Sequence, residues 1–384
     1  MADQKISTAD EMVLASLGDG DVLALVRPGD STPYHVTVGT LKSYIERDVP
    51  FVSVREGGAD PASVDNSEAI NNLLINMKAE GDFRRVLLDD IYPVQSTVFI
   101  DRSQTLEGYA PQQCGLIASA GFDNSVSSWV LRQVRDGVGK SDGVLSGKDR
   151  VYLRHITING NNQAVNGIRA ELQQPAHWID VRVLHCDAAA PYGIGMMITN
   201  TVQAQFTNTQ IWNCRVGLHL HEATLCWFFG LDVEFITDQA LLATSFADWI
   251  AIHGWHFEGA NSDSTVVWDI SGGSYGWTIT NAYNGMGNTA GQTRKILYCH
   301  DNTSQFGAMT GTFTDIFSDT SPRDLTIVIQ DDDRGITLLA PEFGGFNNFM
   351  LPAHRYSGTQ PYLYALGMNG EYSKLGADGV VALP

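Results

Sequence analysis

Three carboxylates and a histidine have a spacing in this sequence that suggests chemistry. Asp232 and Glu234 stand two residues apart, and His256 and Glu258 repeat that arrangement 24 residues later. A glycosidase needs one carboxyl group as acid and another as base or nucleophile, about 5 to 5.5 Å apart for retention of configuration or about 6.5 to 9.5 Å for inversion. Crowding raises the pKa of one carboxyl group and makes it the acid. We therefore predict Asp232, Glu234 and Glu258 as catalytic residues.

The sequence leaves the type of reaction open. If neighbouring strands carry them, Glu234 and Glu258 have backbones about 5 Å apart, whereas Asp232 and Glu234 on one strand are near roughly 7 Å. A polysaccharide lyase would need a base beside a neutralised uronate, a role that His256 or Arg182 could support. The solvation of an exposed sheet, or a contact between subunits, would also explain such polar side chains.

Four side chains on the face of these carboxylates are predicted to bind the substrate: Arg182, Gln210, Trp212 and His256. Sugar rings present apolar faces that stack on exposed aromatic rings, which makes three tryptophans candidate platforms: Trp212, Trp255 and Trp268. Three other tryptophans lie near predicted strand starts and are expected to pack in the core: Trp178, Trp249 and Trp277.

A repeat of short strands would bring these residues to one face. Apolar strand ends recur from about residue 150 at steps of 22 to 28 residues: Ile158, Val183, Ile211, Val233, Phe257 and Tyr283. A second series keeps similar steps: Ile168, Ile194, Leu218, Leu241 and Val267. This period fits one coil of a parallel β-helix, whose strands pair with the coils on either side. The residues that flank each inward apolar position are expected to point outward.

The composition excludes several classes of protein. The 384 residues carry a net charge of −19 and no basic stripe, so a nucleic-acid partner is not expected. The chain has no run of roughly 18 apolar residues, and no basic segment followed by an apolar one opens it, so neither membrane insertion nor signal-directed secretion is expected. Five cysteines without a CxxC pair indicate free thiols.

No metal and no cofactor are predicted. His219 and His221 would share a strand face, but no third ligand has characteristic spacing. The acidic run Asp331–Asp333 is interpreted as a solvated loop.

The segment before the coils carries a resemblance to a known family. A helix is predicted after Asp65–Ser67, with one apolar stripe of Ile70, Leu73, Leu74 and Met77. Together with Phe51–Val54, Gly57–Asp60, Val86–Leu88 and Tyr92, it resembles the opening of pectate-lyase-like right-handed β-helix proteins, which cap the first coil with this helix. The resemblance covers roughly residues 50 to 318 and departs at Asp89–Ile91, where a Pro and a Gly usually precede the Tyr. It implies an all-β, right-handed parallel β-helix.

Residues 1 to 47 are predicted to form a strand, a turn, a strand and a short helix at Leu41–Ile45. This segment, with Val36–Leu41, looks like the N-terminal segment by which many bacteriophage tailspikes attach to the virion. That resemblance implies a homotrimer in the virion tail, which contacts phage tail or adaptor proteins through its N-terminus and binds, and often cleaves, bacterial surface polysaccharide.

We therefore expect three parts: a virion-attachment segment at 1–47, a receptor-binding and depolymerase β-helix at 48–318, and a C-terminal cap or trimerisation element at 319–384. The expected function is a tailspike that hydrolyses polysaccharide during host adsorption. It would be made in the host cytoplasm and released by lysis. The alternatives are a non-catalytic tail adhesin, which the same fold would serve, and a free bacterial polysaccharide lyase.

Overall fold

The computed structural model describes residues 51–79, 85–101, 104–134, 151–171, 176–262, 264–272, 274 and 276–285, together with the strands outside these ranges. The chain divides into two units, Met1–Val52 and Ser53–Pro384. In the first unit, Val22–Leu25 pairs antiparallel with Tyr34–Thr37. These are two of the strands that the sequence predicts. The short helix predicted at Leu41–Ile45 lies outside the described residues.

The remaining chain is built almost entirely of strands. The longest ones bend around the corners of a coil and belong to more than one ladder. In chain order the strands are Phe51–Ser53, Arg85–Leu88, Ile91–Val94, Val98–Asp101, Thr105–Gly108, Gly115–Ala118, Trp129–Val134, Tyr152–Asn159, Asn166–Ala170, Ala176–Cys186, Ile194–Cys214, Val216–Ile236, Gln239–Thr244, Ala251–Ala260, Val266–Ser271, Trp277–Gly285, Arg294–His300, Gly311–Ser318, Leu325–Ile329, Ile336–Leu339, Glu342–Phe343, Arg355–Tyr356, Leu363–Leu366, Tyr372–Gly376 and Gly379–Ala382.

Three parallel ladders run along this part of the chain, and each coil contributes one strand segment to each. The first ladder includes 176–179, 204–207, 227–229, 251–253 and 278–280. The second includes 182–186, 209–214, 231–236, 255–260 and 282–285. The third includes Asn166–Ala170, 194–201, 216–223, Gln239–Thr244 and Val266–Ser271. The predicted all-β parallel β-helix is thereby confirmed.

A helix closes the first coil, as predicted. The capping helix α1 spans Ser67–Ala79, and Ile70, Leu74 and Met77 on its apolar face are buried. The side-chain amide of its Asn71 forms hydrogen bonds of the kind that a neighbouring strand would form with Val98–Asp101. It accepts the backbone N–H of Phe99 at 2.7 Å and donates to the carbonyl of Thr97 at 2.9 Å. An edge that would otherwise expose unpaired backbone groups is covered in this way. Among the described residues, no helix has the length and apolarity needed to cross a membrane.

The departure from the family pattern at Asp89 has a structural counterpart. Asp89 accepts a hydrogen bond from Nε of Arg55 at 2.9 Å and another from the hydroxyl of Tyr92. Arg55 follows the strand Phe51–Ser53, whereas Asp89 follows Arg85–Leu88. A charged side-chain network therefore holds the turn of the first coil.

The inward column of the second ladder is apolar until its last described coil. Ile158, Val183, Ile211, Val233 and Phe257 stack in register and are fully buried. The next residue in this column is Asn284 and not the predicted Tyr283, which instead pairs with His256 on the outward side. The apolar pattern fails here because Asn284 is buried and its Oδ1 accepts the indole N–H of Trp255 at 2.9 Å.

The third ladder also differs from the predicted series at two positions. Ile168 pairs with Met196, which stands two residues after the predicted Ile194. Leu241 pairs with Trp268, one residue after the predicted Val267. Met196 lies between Gly195 and Met197, and Trp268 follows Val267, so each correct position has an apolar neighbour and hydrophobicity alone does not set the register.

The C-terminal part continues the parallel pairing past residue 318. Ile336–Leu339 pairs parallel with Gly311–Ser318 on one side and with Leu363–Leu366 on the other. The last three strands, Leu363–Leu366, Tyr372–Gly376 and Gly379–Ala382, pair antiparallel. The domain boundaries at 47 and 318 stay predictions.

Candidate functional site

The register of the second ladder produces two outward columns of side chains. The first contains Arg182, Gln210, Asp232, His256 and Tyr283. The second contains Leu184, Trp212, Glu234 and Glu258. All seven residues predicted for the site therefore lie on one face, over four consecutive coils.

A groove runs along the corner between the first and second ladders. Its volume is about 490 Å³, and it is lined by Pro111, Gln112, Asp180, Arg182, Asn208, Gln210, Gly230, Leu231, Asp232, Gly254 and His256. Four of the predicted site residues line it. Trp212, Glu234 and Glu258 stand two residues further along the same strands, beside the groove.

Asp232 is the centre of a hydrogen-bonded cluster. Its Oδ1 lies 2.7 Å from Nδ1 of His256, and its Oδ2 accepts the indole N–H of Trp212 at 3.1 Å. His256 also approaches the other two carboxylates, with Nδ1 at 3.7 Å from Oε1 of Glu234 and Nε2 at 3.8 Å from Oε2 of Glu258. The three predicted catalytic carboxylates thus surround one imidazole.

The carboxyl groups differ in their surroundings. Burial raises the pKa of Glu234 to about 7, helped by the charge of Asp232 and a hydrogen bond with it, while His256 acts in the opposite direction. The side chain of Glu234 is 18% exposed, whereas that of Glu258 is 58% exposed. At neutral pH Glu234 is consequently a partly protonated carboxyl group.

Aromatic rings hold the cluster from two sides. The guanidinium of Arg182 lies over the ring of Trp212 at 4.8 Å from its centroid, a cation–π contact. His256 stacks on Tyr283 of the following coil, with ring centroids 5.2 Å apart and planes at 11°. These two contacts fix the orientation of the Trp212 and His256 rings, which both donate an N–H group to Asp232.

Two places have the donor types that metal ions use. Asp232, Glu234 and His256 each place one ligand atom within 4.8 Å of the others, which is the spacing of a potential metal site. His219 and His221 instead converge on Thr244, whose hydroxyl lies 2.9 Å from Nε2 of His219 and 3.0 Å from Nδ1 of His221. The acidic run Asp331–Asp333 lies outside the described residues.

The tryptophan predictions are partly wrong. Trp255 and Trp268 were expected as sugar platforms, but both are 1% exposed, and their rings contact each other inside the coils. Trp178 and Trp277 are buried as predicted, whereas Trp249, predicted in the core, is 54% exposed. Of the three candidate platforms, only Trp212 points outward.

The sequence interpretation missed the residues at the corner. Asp180, Asn208, Gly230 and Gly254 all line the groove, and each stands two residues before a predicted site residue. All four have positive φ, from 52° to 77°, and so does His155 one coil earlier. Asn, Asp and Gly are the residues that tolerate this conformation best. Their recurrence at the coil period was the signal that could have identified the corner.

Comparison with known proteins identifies the fold. No family model and no curated protein matches the sequence. Among solved structures, ORF18 of Geobacillus virus E2 is 14% identical with a TM-score of 0.56, and the alignment covers 96% of this chain and 76% of that one. PfbA, a surface adhesin of Streptococcus pneumoniae, is 10% identical with a TM-score of 0.51, over 87% of this chain and 98% of that one. A looser similarity, with a TM-score of 0.44 and 11% identity, links 87% of the chain to 66% of the tailspike of Acinetobacter phage vb_AbaP_AS12. Together with the three ladders, the first two similarities identify the fold of the chain as a parallel β-helix.

Proposed function

We propose that this protein is a phage tailspike that binds a bacterial surface polysaccharide in the corner groove and hydrolyses it with Glu234 and Asp232. The observation that carries this proposal is the pairing of two unlike carboxyl groups beside the groove. Asp232 accepts N–H groups from Trp212 and His256, while burial raises the pKa of Glu234 to about 7. Carboxyl groups whose surroundings separate their pKa values are the pattern of an acid and its partner.

In this mechanism Glu234 is the general acid. Its proton passes to the glycosidic oxygen as the bond to the anomeric carbon breaks. Asp232 and Glu234 are close enough to share a hydrogen bond, and their ligand atoms lie within 4.8 Å of each other, which is short of the spacing of about 6.5 to 9.5 Å that inversion needs. We therefore assign Asp232 as the nucleophile, with water later releasing the sugar and returning a proton to Glu234.

The other predicted residues have supporting roles in this proposal. His256 orients Asp232 through the 2.7 Å contact, and Arg182 and Gln210 line the groove where they can donate to sugar hydroxyls. Trp212 orients Asp232 from the other side and presents an outward ring. Glu258, the most exposed of the three carboxylates, contacts substrate and does not take part in bond cleavage.

The virion context rests on the sequence resemblance. The N-terminal segment looks like a tailspike attachment segment, and the antiparallel strands Val22–Leu25 and Tyr34–Thr37 agree with the two strands predicted there. We propose that this unit attaches the protein to the phage tail or an adaptor protein and that the protein is a homotrimer, as in that family.

A non-catalytic adhesin is the second candidate. Both carboxylate oxygens of Asp232 already have hydrogen-bond partners within the protein, which is also what a purely structural network would show. In that case the groove would bind polysaccharide and leave it intact.

The test is to incubate the purified protein with surface polysaccharides from a panel of bacteria and to follow chain length and ultraviolet absorbance together. Shortening without new absorbance supports hydrolysis, and new absorbance from unsaturated uronate identifies a lyase. Binding without shortening identifies the adhesin. If the polysaccharide is shortened, the variants Glu234→Gln and Asp232→Asn test the carboxyl pair. Their control is Glu68→Gln, which removes one carboxylate at an exposed position at the start of helix α1.

A further inference from the structure

The corner between the first and second ladders changes character halfway along. In three consecutive coils it carries polar side chains that bond to one another: Asp180 accepts from Nδ2 of Asn208 at 2.9 Å, and its other oxygen lies 2.8 Å from Nδ1 of His155. The next two coils place Gly230 and Gly254 at this position. Polar side chains therefore stop where the groove reaches Asp232 and His256.

The backbone does not require glycine at these two positions. Gly230 and Gly254 have φ values of 70° and 77°, but Asn208 before them and Asn281 after them adopt φ values of 52° and 53° at the same corner. Asparagine is thus compatible with this conformation in the same ladder. The absence of a side chain is a separate property of these two coils.

Space is left open at Gly254, whereas Gly230 has a closer neighbour. A Cβ atom built on Gly254 would have no atom nearer than 3.7 Å outside its own chain neighbours, and one on Gly230 would approach Oδ1 of Asn208 at 3.1 Å. Both glycines line the groove. The two bare positions form a recess, which we call the glycine recess, immediately beside the predicted catalytic pair.

Aromatic side chains adjoin the glycine recess in the chain. Phe229 precedes Gly230 and is 38% exposed, although it is a large apolar residue. It stacks on His253, which precedes Gly254, with ring centroids 5.4 Å apart and planes at 22°. Exposed, stacked aromatic rings offer a flat surface to the apolar face of a sugar.

The charged side chains that line the groove do not favour an anionic ligand. These side chains are two acidic ones, Asp180 and Asp232, and one basic one, Arg182. The imidazole of His256 also lines the groove. The one guanidinium among them lies over the Trp212 ring, and Glu234 and Glu258 stand beside the groove. A uronate would meet more negative than positive charge here, whereas an uncharged sugar would not be repelled.

We infer that the glycine recess is the subsite for an uncharged sugar ring, which packs its apolar face against Phe229 and places its neighbour at the carboxylate pair. This inference rests on the proposed function, because it assigns part of the same groove. It adds the substrate class, a polysaccharide that is neutral at this position, and the two residues whose lack of a side chain admits it.

The test uses Gly254→Asn, a substitution that fills the recess with a residue that the same ladder accepts at Asn208 and Asn281. Its matched control is Gly121→Asn, which has φ 79° and open space but lies in a turn after the strand Gly115–Ala118 and does not line the groove. Phe229→Ala is paired with Phe235→Ala, which removes a ring of similar exposure, 41%, from the second-ladder segment 231–236. Each variant is made in the Glu234→Gln background, so that binding is measured without cleavage.

Binding is measured on an array of neutral, amino-containing and uronate-containing bacterial oligosaccharides. The expected result is that the parent binds neutral oligosaccharides, that Gly254→Asn and Phe229→Ala weaken this binding about tenfold, and that the two controls do not. Binding by Gly254→Asn equal to that of the parent, or binding of uronate-containing oligosaccharides alone, would overturn the inference while leaving a glycan-binding function in place. A parent that binds no oligosaccharide on the array would contradict the proposed function itself.

Discussion

His256 reaches across to the neighbouring coil, where its Nδ1 lies 2.7 Å from Oδ1 of Asp232. The two residues face each other because they hold equivalent positions in the second ladder. The same register places Glu234 beside Glu258 and Tyr283 beyond His256. Two ladder positions per coil therefore assemble a cluster whose members come from successive coils.

Replacement of either member of the carboxyl pair should stop cleavage. We expect Glu234→Gln and Asp232→Asn each to lower the rate of polysaccharide shortening by about 10² to 10⁴ with binding retained, since each removes an acid or a nucleophile and preserves shape. Glu258→Gln should lower it by less than about tenfold, because that side chain is 58% exposed and contacts only substrate in this scheme. Equal losses in all three variants would assign Glu258 to the chemistry.

The rate should fall as the pH rises through about 7. Burial beside Asp232 raises the pKa of Glu234 to about 7, and the general acid is active only while protonated. Initial rates of chain shortening between pH 5 and pH 9, a range chosen to bracket that value, would show this decline. A rate that keeps rising through pH 8 would be incompatible with Glu234 as the acid.

Stability should depend on pH through the same carboxyl group. The folded-state pKa of Glu234, about 7, lies above its ordinary value of 4.5, so between these values the folded protein binds more protons than the unfolded chain. The free energy of unfolding should therefore decrease as the pH rises from about 4.5 to 7. Glu234→Gln should remove this decrease, and thermal unfolding of both proteins across that range provides the measurement. Identical curves would show that Glu234 does not titrate in this way.

A buried histidine should produce the opposite dependence. Burial lowers the pKa of His219 to about 4, below its ordinary 6.5, so in this interval the unfolded chain binds more protons. Unfolding free energy should then fall as the pH decreases from about 6.5 towards 4. His219→Gln should reduce this loss, whereas His221→Gln, which shares the Thr244 partner, should retain most of it, because burial of His219 is the larger cause and the charge of His221 the smaller one. Parallel pH curves for the wild type and His219→Gln would contradict the assignment.

The polar pair within the core should matter for folding. Asn284→Ala leaves the indole N–H of Trp255, 1% exposed, without the acceptor now 2.9 Å away, and should cost about 1 to 3 kcal/mol of unfolding free energy. Combining Trp255→Phe with Asn284→Leu should recover part of this cost, because neither partner then requires a hydrogen bond. Asn281→Gly, at the exposed corner with φ 53°, is the control and should change stability by less than about 0.5 kcal/mol. Denaturant titration distinguishes these outcomes.

The sequence predicted the ladder where hydrophobicity marks the inward face. From Ile158 to Phe257 the predicted column agrees with the structure, and the outward residues on either side follow from it. At Asn284 the inward residue is polar and is satisfied by Trp255, a pairing between coils that no local pattern records. The corner escaped prediction for a similar reason, because its residues share a backbone conformation and not a hydrophobicity.

The cluster shows the same limit. The strand pattern predicted that Asp232, Glu234 and His256 lie on one face, but it did not predict which hydrogen bonds their side chains form. Trp212 donates to Asp232 from the preceding coil, and this depends on a rotamer that only packing against Arg182 and its neighbours defines. The elevated pKa of Glu234 likewise arises from burial in the folded chain.

The regular spacing of the coils also gives the groove a fixed unit of length. Successive coils are separated by about 4.8 Å, so the groove is graduated at nearly the length of one sugar ring, and a linear chain lying along it meets one coil per unit. Under the proposed function, the number of coils that line the groove, from Asp180 to His256, would set how many sugar units it binds. Duplication or loss of a single coil would lengthen or shorten the groove by the length of about one sugar unit, while the strands of the neighbouring coils would still pair with each other.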